Sequence, residues 1–572
     1  MSKRVIIIGA IAAGPKAASR LRRLEPTTEI LMVDKNEYIS FGACGIPYYI
    51  SGEINSIDSL RSTAYGVLRT PEYFQQKGIT TYNRTQAISI DRKQQIVLLK
   101  HLLTNKEYTV SYDKLVLTTG SKPKLPTIKG QHLKHIVTIS NTSLDSAQHI
   151  QTLCASKKIK HAVIIGGGFI GLEMAVSLAG KWKIKTSIIE VKPQVMPGYV
   201  SPDFADMLCH DLTKNNVEIF TSEQVLQFKG KNDSVNYLIT DKRKIETDLV
   251  IFATGFLPET TLAQEAGLAL DPKTGAILVN PYMQTSDPNI YAGGDCVAVP
   301  NPITGEHSWF TLGSLANRQG RIIGTNLAGG SDTFPGAVGN WCIKLFTLSA
   351  CGAGLTLEKA KSLGFDAISA SIEQADRSQS YPEHSIISLE LIVDCSNRRV
   401  LGIQGICSAS DVVKARIDAI TMLLQYGHPT IDDISNAEMS YAPPFSSAMD
   451  PINVVANVAD NILSGQLESV TSKTFTTMWN DRKNNTIFFV DTRPTTDSKE
   501  LKEKYPNEWH TIPFEEISSY LSELPKTQPI ALICNTGLRA YETMSYLRGK
   551  GITNTIDVLG GMYAIKKRGE EL

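Results

Sequence analysis

At the usual ~100–200 residues per domain, a chain of 572 residues makes roughly three to five domains. Its 58 basic and 57 acidic residues leave a net charge of +1, so no global field exists to hold nucleic acid or an anionic membrane. Nine cysteines are too few and odd in number for a secreted disulfide framework, and no apolar run reaches the ~18 residues a bilayer span needs. The expectation is a cytoplasmic protein in a reducing environment, whose cysteines are either inert or chemically employed.

The opening MSKRVIIIGA has the basic-then-apolar order of a signal peptide, but the run is short and a glycine turn follows at once, so residues 4–9 read as a buried parallel strand. A helix over 13–24 and a strand over 30–34 complete a β-α-β unit. The same grammar returns at 161–190, with HAVIIGGGFIG, a helix running to Gly180, and KTSIIE. Between the two units, 86–120 alternates apolar and polar residues and ends in KLVLTTGS; 248–258 (DLVIFATGFLP) and 288–298 (PNIYAGGDCVA) repeat the strand-then-glycine ending. Residues 335–450 mix strands, among them 388–394, with a helix over 411–427. Residues 451–472 read as a helical connector. The last segment, 473–572, is a small α/β unit with strands near 487–491 and 530–534.

Two such units suggest two bound nucleotides. A helix N-terminus favours pyrophosphate because its unpaired N–H groups and dipole attract an anion, and glycines let the backbone approach closely. The second unit carries the full fingerprint: Gly166, Gly168 and Gly171, with Phe169 and Ile170 opening the helix and Glu190 closing the next strand. Glu190 would accept from ribose hydroxyls and repel a 2′-phosphate, which favours NADH over NADPH; Lys192 close by weakens that preference. The first unit is irregular, with Gly9, Ile11, Ala12 and Gly14 followed by Asp34, Lys35 and Ser40. Thr119 and Gly120 in the TGS turn, Gly255 in the TGF turn and Asp295 in the GGD turn, which is read as preceding a helix, are the remaining candidate cofactor contacts.

The order of these parts (dinucleotide unit, TGS, dinucleotide unit, TGF, GGD) resembles the FAD- and NAD-dependent pyridine nucleotide-disulfide oxidoreductases over roughly residues 1–450. The resemblance implies an FAD-binding domain at 1–150 and 276–330, an NAD(P)-binding domain at 151–275, an α+β dimerisation domain at 331–450 and a connector at 451–472. It also places Cys44, in YISFGACGIPYY, at the start of a helix beside the flavin, where a thiol pKa is expected to fall. The two-cysteine members carry a partner five residues on, a position held here by Tyr49. The segment therefore resembles the single-cysteine branch of coenzyme A disulfide reductases and NAD(P)H persulfide reductases. NADH oxidases and peroxidases form a sister branch with a histidine in the first glycine loop, where this chain has Ala12. Coenzyme A disulfide reductases carry asparagine directly before the cysteine, where this chain has Ala43. Arg23 matches a position that holds a coenzyme A phosphate, with Lys16 and Arg20 nearby; a solvated basic helix face is the competing reading. In YAPPFSSAMDPIN, Tyr441 matches a tyrosine that reaches the partner subunit's cysteine, and Tyr381 matches a second. The resemblance thus implies a homodimer with shared sites.

The segment CNTGLRA directly follows the strand PIALIC. Cys534 at a strand end, Gly537 in a tight turn and Arg539 closing the loop make a cradle of N–H groups for a thiolate or a persulfide. Phosphatases of similar design place five residues between Cys and Arg; the four here make a smaller cradle that suits sulfur. With VDTRP at 490–494 and VLGGM at 558–562, residues 473–572 resemble rhodaneses, and Asp491 and Arg493 are expected to brace the loop. Cys154, Cys209, Cys296, Cys342, Cys351, Cys395 and Cys407 read as structural, and no metal site is expected.

The overall expectation is an α/β flavoprotein with two Rossmann-like domains, a dimerisation domain and a rhodanese-like domain. It would carry electrons from NAD(P)H through FAD and Cys44 to a persulfide, a polysulfide or coenzyme A disulfide. An NADH oxidase or peroxidase working through a Cys44 sulfenic acid, and a redox-sensing flavoprotein, are the alternatives.

Overall fold

The computed structural model describes residues 3–140, 142–484 and 486–572. The chain forms two compact units, residues 1–193 with 216–337, and residues 194–215 with 338–572.

The first unit is built on two parallel five-stranded sheets. One runs Ile290–Ala292, Lys114–Leu117, Arg4–Ile8, Glu29–Val33, Thr80–Tyr82; the other runs Val217–Phe220, Lys185–Ile189, His161–Ile165, Leu249–Phe252, Ile136–Thr138. The central strands are continuous apolar runs because helices and loops cover both faces of a parallel sheet. The alternating stretch after the first β-α-β unit is an antiparallel three-stranded sheet, Thr85–Asp91, Ile96–His101 and Glu107–Ser111. Helix Gly313–Leu327 lies so close to helix Ala13–Leu24 that a Cβ on Gly320 would stand 2.4 Å from the Ala13 carbonyl oxygen.

In the second unit an antiparallel sheet runs Trp341–Lys344, Ser349–Gly354, Val400–Cys407, Ile386–Asp394, Ala367–Ala375. Helix Ser410–Tyr426 covers one half, and helix Pro451–Leu463 packs on the other through Ile452, Val455, Ala456 and Ala459, all fully buried. The expected connector is therefore, over these residues, a core helix. A five-stranded parallel sheet follows: Ser469–Val470, Thr555–Val558, Ile530–Ile533, Phe488–Asp491, Trp509–Thr511. Lys567, at the end of the C-terminal helix Gly561–Lys567, ties that helix to the antiparallel sheet, its ammonium donating to Glu373 Oε2 at 2.6 Å, Ser388 Oγ at 2.8 Å and the Ile386 carbonyl at 2.9 Å.

Residues 194–215 lie within the range expected for the nucleotide domain, yet helix Pro202–Lys214 packs in the second unit. Asp211 accepts the backbone N–H groups of Phe346 and Thr347, both at 3.1 Å, and Asp203 accepts Ser472 Oγ at 2.7 Å. Beside this helix, Glu390 is buried and accepts Gln404 Nε2 at 2.8 Å; burial drives its carboxyl up to about 7. A carboxyl whose folded pKa is raised stabilises the fold when protonated, and that contribution is lost as pH rises through about 7. Melting temperature should therefore fall between about pH 5 and pH 8, by the equivalent of roughly 2–3 kcal/mol. The Glu390→Gln variant should show a flat profile there in thermal melts; an unchanged slope would refute the assignment.

Candidate active site

The two glycine turns are built alike. Gly9 and Gly166 hold φ values of +102° and +112°, and a Cβ on either would strike a carbonyl oxygen, Thr118 at 2.0 Å or Ala253 at 2.3 Å. Only glycine fits there. Gly14 and Gly171 pack as tightly, against the Gly9 and Gly166 carbonyls at 2.0 and 1.9 Å. Each turn is tied to the acid that ends the next strand. Asp34 accepts the Ala10 N–H at 2.7 Å and the Asn36 N–H at 2.8 Å; Glu190 accepts the Gly167 N–H at 2.7 Å and the Lys192 N–H at 2.8 Å. The irregular first turn thus has the same bracing as the regular second one.

Both helices begin without a side-chain cap, at Ala12 and at Gly168, and nothing stands within 4 Å of a Cβ built on Gly168. Uncapped N–H groups facing glycine and alanine rather than bulky side chains fit pyrophosphate at both sites. Phe169, Ile170 and Gly171 form the first turn of the second helix, and Ile11 precedes the first. Ser40, buried at φ +50°, donates its N–H to the Ala10 carbonyl at 2.6 Å and fixes the segment leading to Cys44. Lys35 is exposed. Thr119 Oγ1 donates to the Glu259 carbonyl at 2.5 Å, and Gly120 and Gly255 take positive φ in their turns. Asp295 accepts Ser121 Oγ at 3.1 Å and lies beside Gly294, whose Cβ position is 3.5 Å from Ala13 Cβ. The GGD turn therefore meets the first glycine helix. It is followed by strand Val297–Pro300, not by a helix, because VAVP is β-branched and ends in proline.

Cys44 sits in the 3-10 turn Ala43–Gly45, ahead of the short helix Ile46–Ser51, and is exposed. Its sulfur lies 3.5 Å from the Cβ position of Gly313 and accepts the Gly313 N–H, so the helix that faces the thiol is Gly313–Leu327. The expected fall in thiol pKa is not seen. Although solvent reaches the residue, the protein packed round the sulfur strips part of its water and raises the pKa, and the carboxylates of Glu173 and Asp295 raise it further, against the N–H groups of Gly313 and Cys44. Neither Gly313 nor Glu173 is singled out by sequence; Glu173 lies just past the glycine fingerprint, in GLE, and only the fold brings it to the thiol. Tyr49 is buried at the position of the missing partner cysteine.

The basic cluster divides. Arg20 Nε donates to Thr325 Oγ1 at 3.1 Å and so serves helix packing, whereas Lys16 and Arg23 are exposed. In the second unit Tyr441 is 53% exposed and Tyr381 half-buried in a turn. Cys534 is buried at the end of Ile530–Ile533 and accepts the Gly537 N–H at 3.1 Å, Gly537 standing at φ +99°. Burial raises its thiol pKa, opposed by the N–H groups of Ala540, Thr536 and Gly537, which make the expected cradle. Arg539 is exposed at the rim. Asp491 and Arg493 form a buried pair at 2.7 Å below the loop.

Residues 3–320 match the pyridine nucleotide-disulphide oxidoreductase family, and residues 343–451 match its dimerisation domain. The chain belongs to this family. The oxidoreductase is 34% identical to the NAD-dependent persulfide reductase of A. fulgidus, whose solved structure superposes with a TM-score of 0.90 over 98% of this chain and 99% of that one. That likeness runs through the C-terminal domain built on the parallel sheet from Ser469–Val470 to Thr555–Val558, which is a rhodanese-like domain. It is also 34% identical to the NAD(P)H coenzyme A polysulfide/persulfide reductase of Pyrococcus horikoshii, over 80% of this chain and 98% of the relative. An NADH oxidase of Methanocaldococcus jannaschii is 32% identical, over 81% of this chain and all of the relative. Family membership implies FAD and NAD(P)H as cofactors. Among the described residues no helix is long and apolar enough to cross a membrane.

Proposed function

We propose that this oxidoreductase is an NAD(P)H-dependent persulfide or polysulfide reductase that works through Cys44. The observation that carries this reading is an exposed thiol, with tyrosine at the partner position, held by the Gly313 N–H and flanked by Asp295 of the GGD turn. The full-length likeness to a persulfide reductase supports it. The first glycine turn, Asp34, Ser40, Thr119, Gly120 and Asp295 would hold FAD, and the second turn with Glu190 and Gly255 would hold NAD(P)H. When bound, FAD supplies the electron pair that passes between the nicotinamide and sulfur.

The Cys44 sulfur attacks the outer sulfur of a persulfide R–S–SH and takes it up, and R–S⁻ leaves. The leaving thiolate needs a proton, and a phenol can donate one. We assign that role to Tyr441, with Tyr381 as the second candidate, acting on the partner subunit's cysteine in a homodimer; the exposure of Tyr441 in the monomer and the matched dimerisation domain support this. Cys534, in its N–H cradle with Arg539 at the rim, carries sulfane sulfur as a persulfide, which belongs to the substrate class that Cys44 cleaves. The exposed Lys16 and Arg23 are the groups that would meet a coenzyme A phosphate. A reducing, cytoplasmic setting suits nine cysteines that are all free.

Anaerobic NADH oxidation by the FAD-loaded protein, with polysulfide, coenzyme A persulfide, coenzyme A disulfide and peroxide offered separately, tests this reading. Fast turnover with persulfide or polysulfide is expected. Turnover with peroxide alone, or with oxygen in a parallel aerobic run, would establish the oxidase or peroxidase reading, which the Methanocaldococcus relative favours and Ala12 disfavours. Cofactor choice is testable at Glu190, whose carboxylate is fixed by two backbone N–H groups and repels a 2′-phosphate. Glu190→Gln should lower the kcat/KM ratio of NADH to NADPH by about tenfold, or ~1.4 kcal/mol. An unchanged ratio would remove Glu190 as the determinant.

A further inference from the structure

Cys342 and Cys351 read as unrelated structural cysteines in the sequence, but the fold makes them direct cross-strand neighbours. Strands Trp341–Lys344 and Ser349–Gly354 pair antiparallel with Cys342 opposite Cys351. Residues opposite one another in such a pair have Cα atoms ~4.5–5.5 Å apart, inside the ~4.4–6.8 Å span a disulfide accepts. Both thiols are free, and they hydrogen-bond each other, Cys351 donating to the Cys342 sulfur. Their surroundings differ. Cys351 is 2% exposed, on a strand covered by helix Ser410–Tyr426, whereas Cys342 is exposed on the edge strand. From that helix Lys414 reaches the pair, ion-paired to Asp418, which also accepts Asn340 Nδ2 at 2.8 Å. The bond from Cys351 and the Lys414 ammonium hold the Cys342 thiol below the usual range, while the Cys342 sulfur and burial push Cys351 up. An outer thiolate backed by an inner protonated thiol is the arrangement of an attacking and a resolving cysteine.

We propose that Cys342 and Cys351 form a second redox site, a dithiol that reduces the sulfane sulfur of a persulfide or polysulfide and closes to a cross-strand disulfide. The choice of persulfide as oxidant rests on the function proposed above. Cys342 thiolate attacks the outer sulfur of R–S–SH; the S–S bond breaks, R–S⁻ leaves and takes up the proton Cys342 had lost, and Cys342 becomes a persulfide. The Cys351 sulfur then attacks Cys342 Sγ, the Cys342–Cys351 bond forms, and sulfide departs with the Cys351 proton. In sum R–S–SH and two protein thiols give R–SH, H2S and one disulfide. The sulfane sulfur gains two electrons and the two thiols lose them. An external dithiol reopens the bond.

The test uses full-length, FAD-loaded protein carrying Cys44→Ser and Cys534→Ser, without NAD(P)H, treated anaerobically with coenzyme A persulfide as R–S–SH. One equivalent of sulfide per chain should be released, and non-reducing peptide mass spectrometry should find the Cys342 and Cys351 peptides joined. Adding Cys351→Ser should leave Cys342 as a trapped persulfide with no sulfide released. Adding Cys342→Ser instead, at the exposed position least able to disturb the core, should also abolish sulfide release. Both cysteines remaining free to alkylation after persulfide treatment, with no sulfide formed, would overturn the proposal. Because this readout lacks Cys44 and NAD(P)H, it can fail while the Cys44 assay succeeds, and the reverse.

Discussion

Replacing Cys44 by serine lowers kcat/KM for NAD(P)H-dependent persulfide reduction by at least ~10³-fold, because a hydroxyl of high pKa is no nucleophile towards sulfane sulfur. The loss should fall on the sulfur step alone. Fast mixing with NADH should still bleach the flavin absorbance, since the glycine turns and their acids are untouched. The wild-type thiol should also be quiet at neutral pH before substrate binds. Burial, Glu173 and Asp295 all raise the Cys44 pKa, so its alkylation rate should climb in the alkaline range with a midpoint above that of a free thiol. Glu173→Gln removes one of these carboxylates and should move the midpoint down. If Cys44→Ser retains most of its turnover, or if the midpoint lies below that of a free thiol, Cys44 is not the reacting group in the environment described. Cys534→Ser should leave turnover with small persulfides intact, which separates the two sulfur sites.

Arg493→Met destabilises the rhodanese-like domain by about 3–5 kcal/mol, the usual penalty for stranding one partner of a buried ion pair. Asp491 is fully buried, and Arg493 grips both of its oxygens, Nε at 2.9 Å and 3.2 Å and one terminal nitrogen at 2.7 Å. Its only further side-chain donor among the described residues is Trp509 Nε1 at 3.1 Å. The neighbouring Thr492 N–H reaches the Ile533 carbonyl at 2.9 Å, so the pair holds the strand end that carries Cys534. Calorimetry should show an earlier transition, and Cys534 should become accessible to alkylation. Adding Asp491→Leu should restore most of the loss, because replacing both members leaves no uncompensated charge. An unshifted transition in the single variant would show that the pair does not brace the loop.

Much of the molecule is legible in the sequence because it depends on local backbone chemistry. Gly9, Gly14, Gly166 and Gly171 are required where a Cβ would overlap a carbonyl oxygen, and such a requirement is written one residue at a time. The strands of the parallel sheets appear as apolar runs, and Cys534 with Gly537 shows its loop at once. What sequence does not contain is the partner of each surface. Helix Pro202–Lys214 and helix Pro451–Leu463 are amphipathic, and periodicity states which face is buried without stating against what. Cys44 acquires Gly313 and Glu173 only when distant segments converge; the protein packed round the sulfur and the Glu173 carboxylate then raise its thiol pKa, against the Gly313 N–H. Cys342 and Cys351 become a pair through hairpin register, which a single-residue slip would destroy by turning one thiol to the other face. The sequence by itself determined the turns, the strands and the identities of the reacting atoms; tertiary structure decided their neighbours, because burial and electrostatics depend on distances the chain order does not encode.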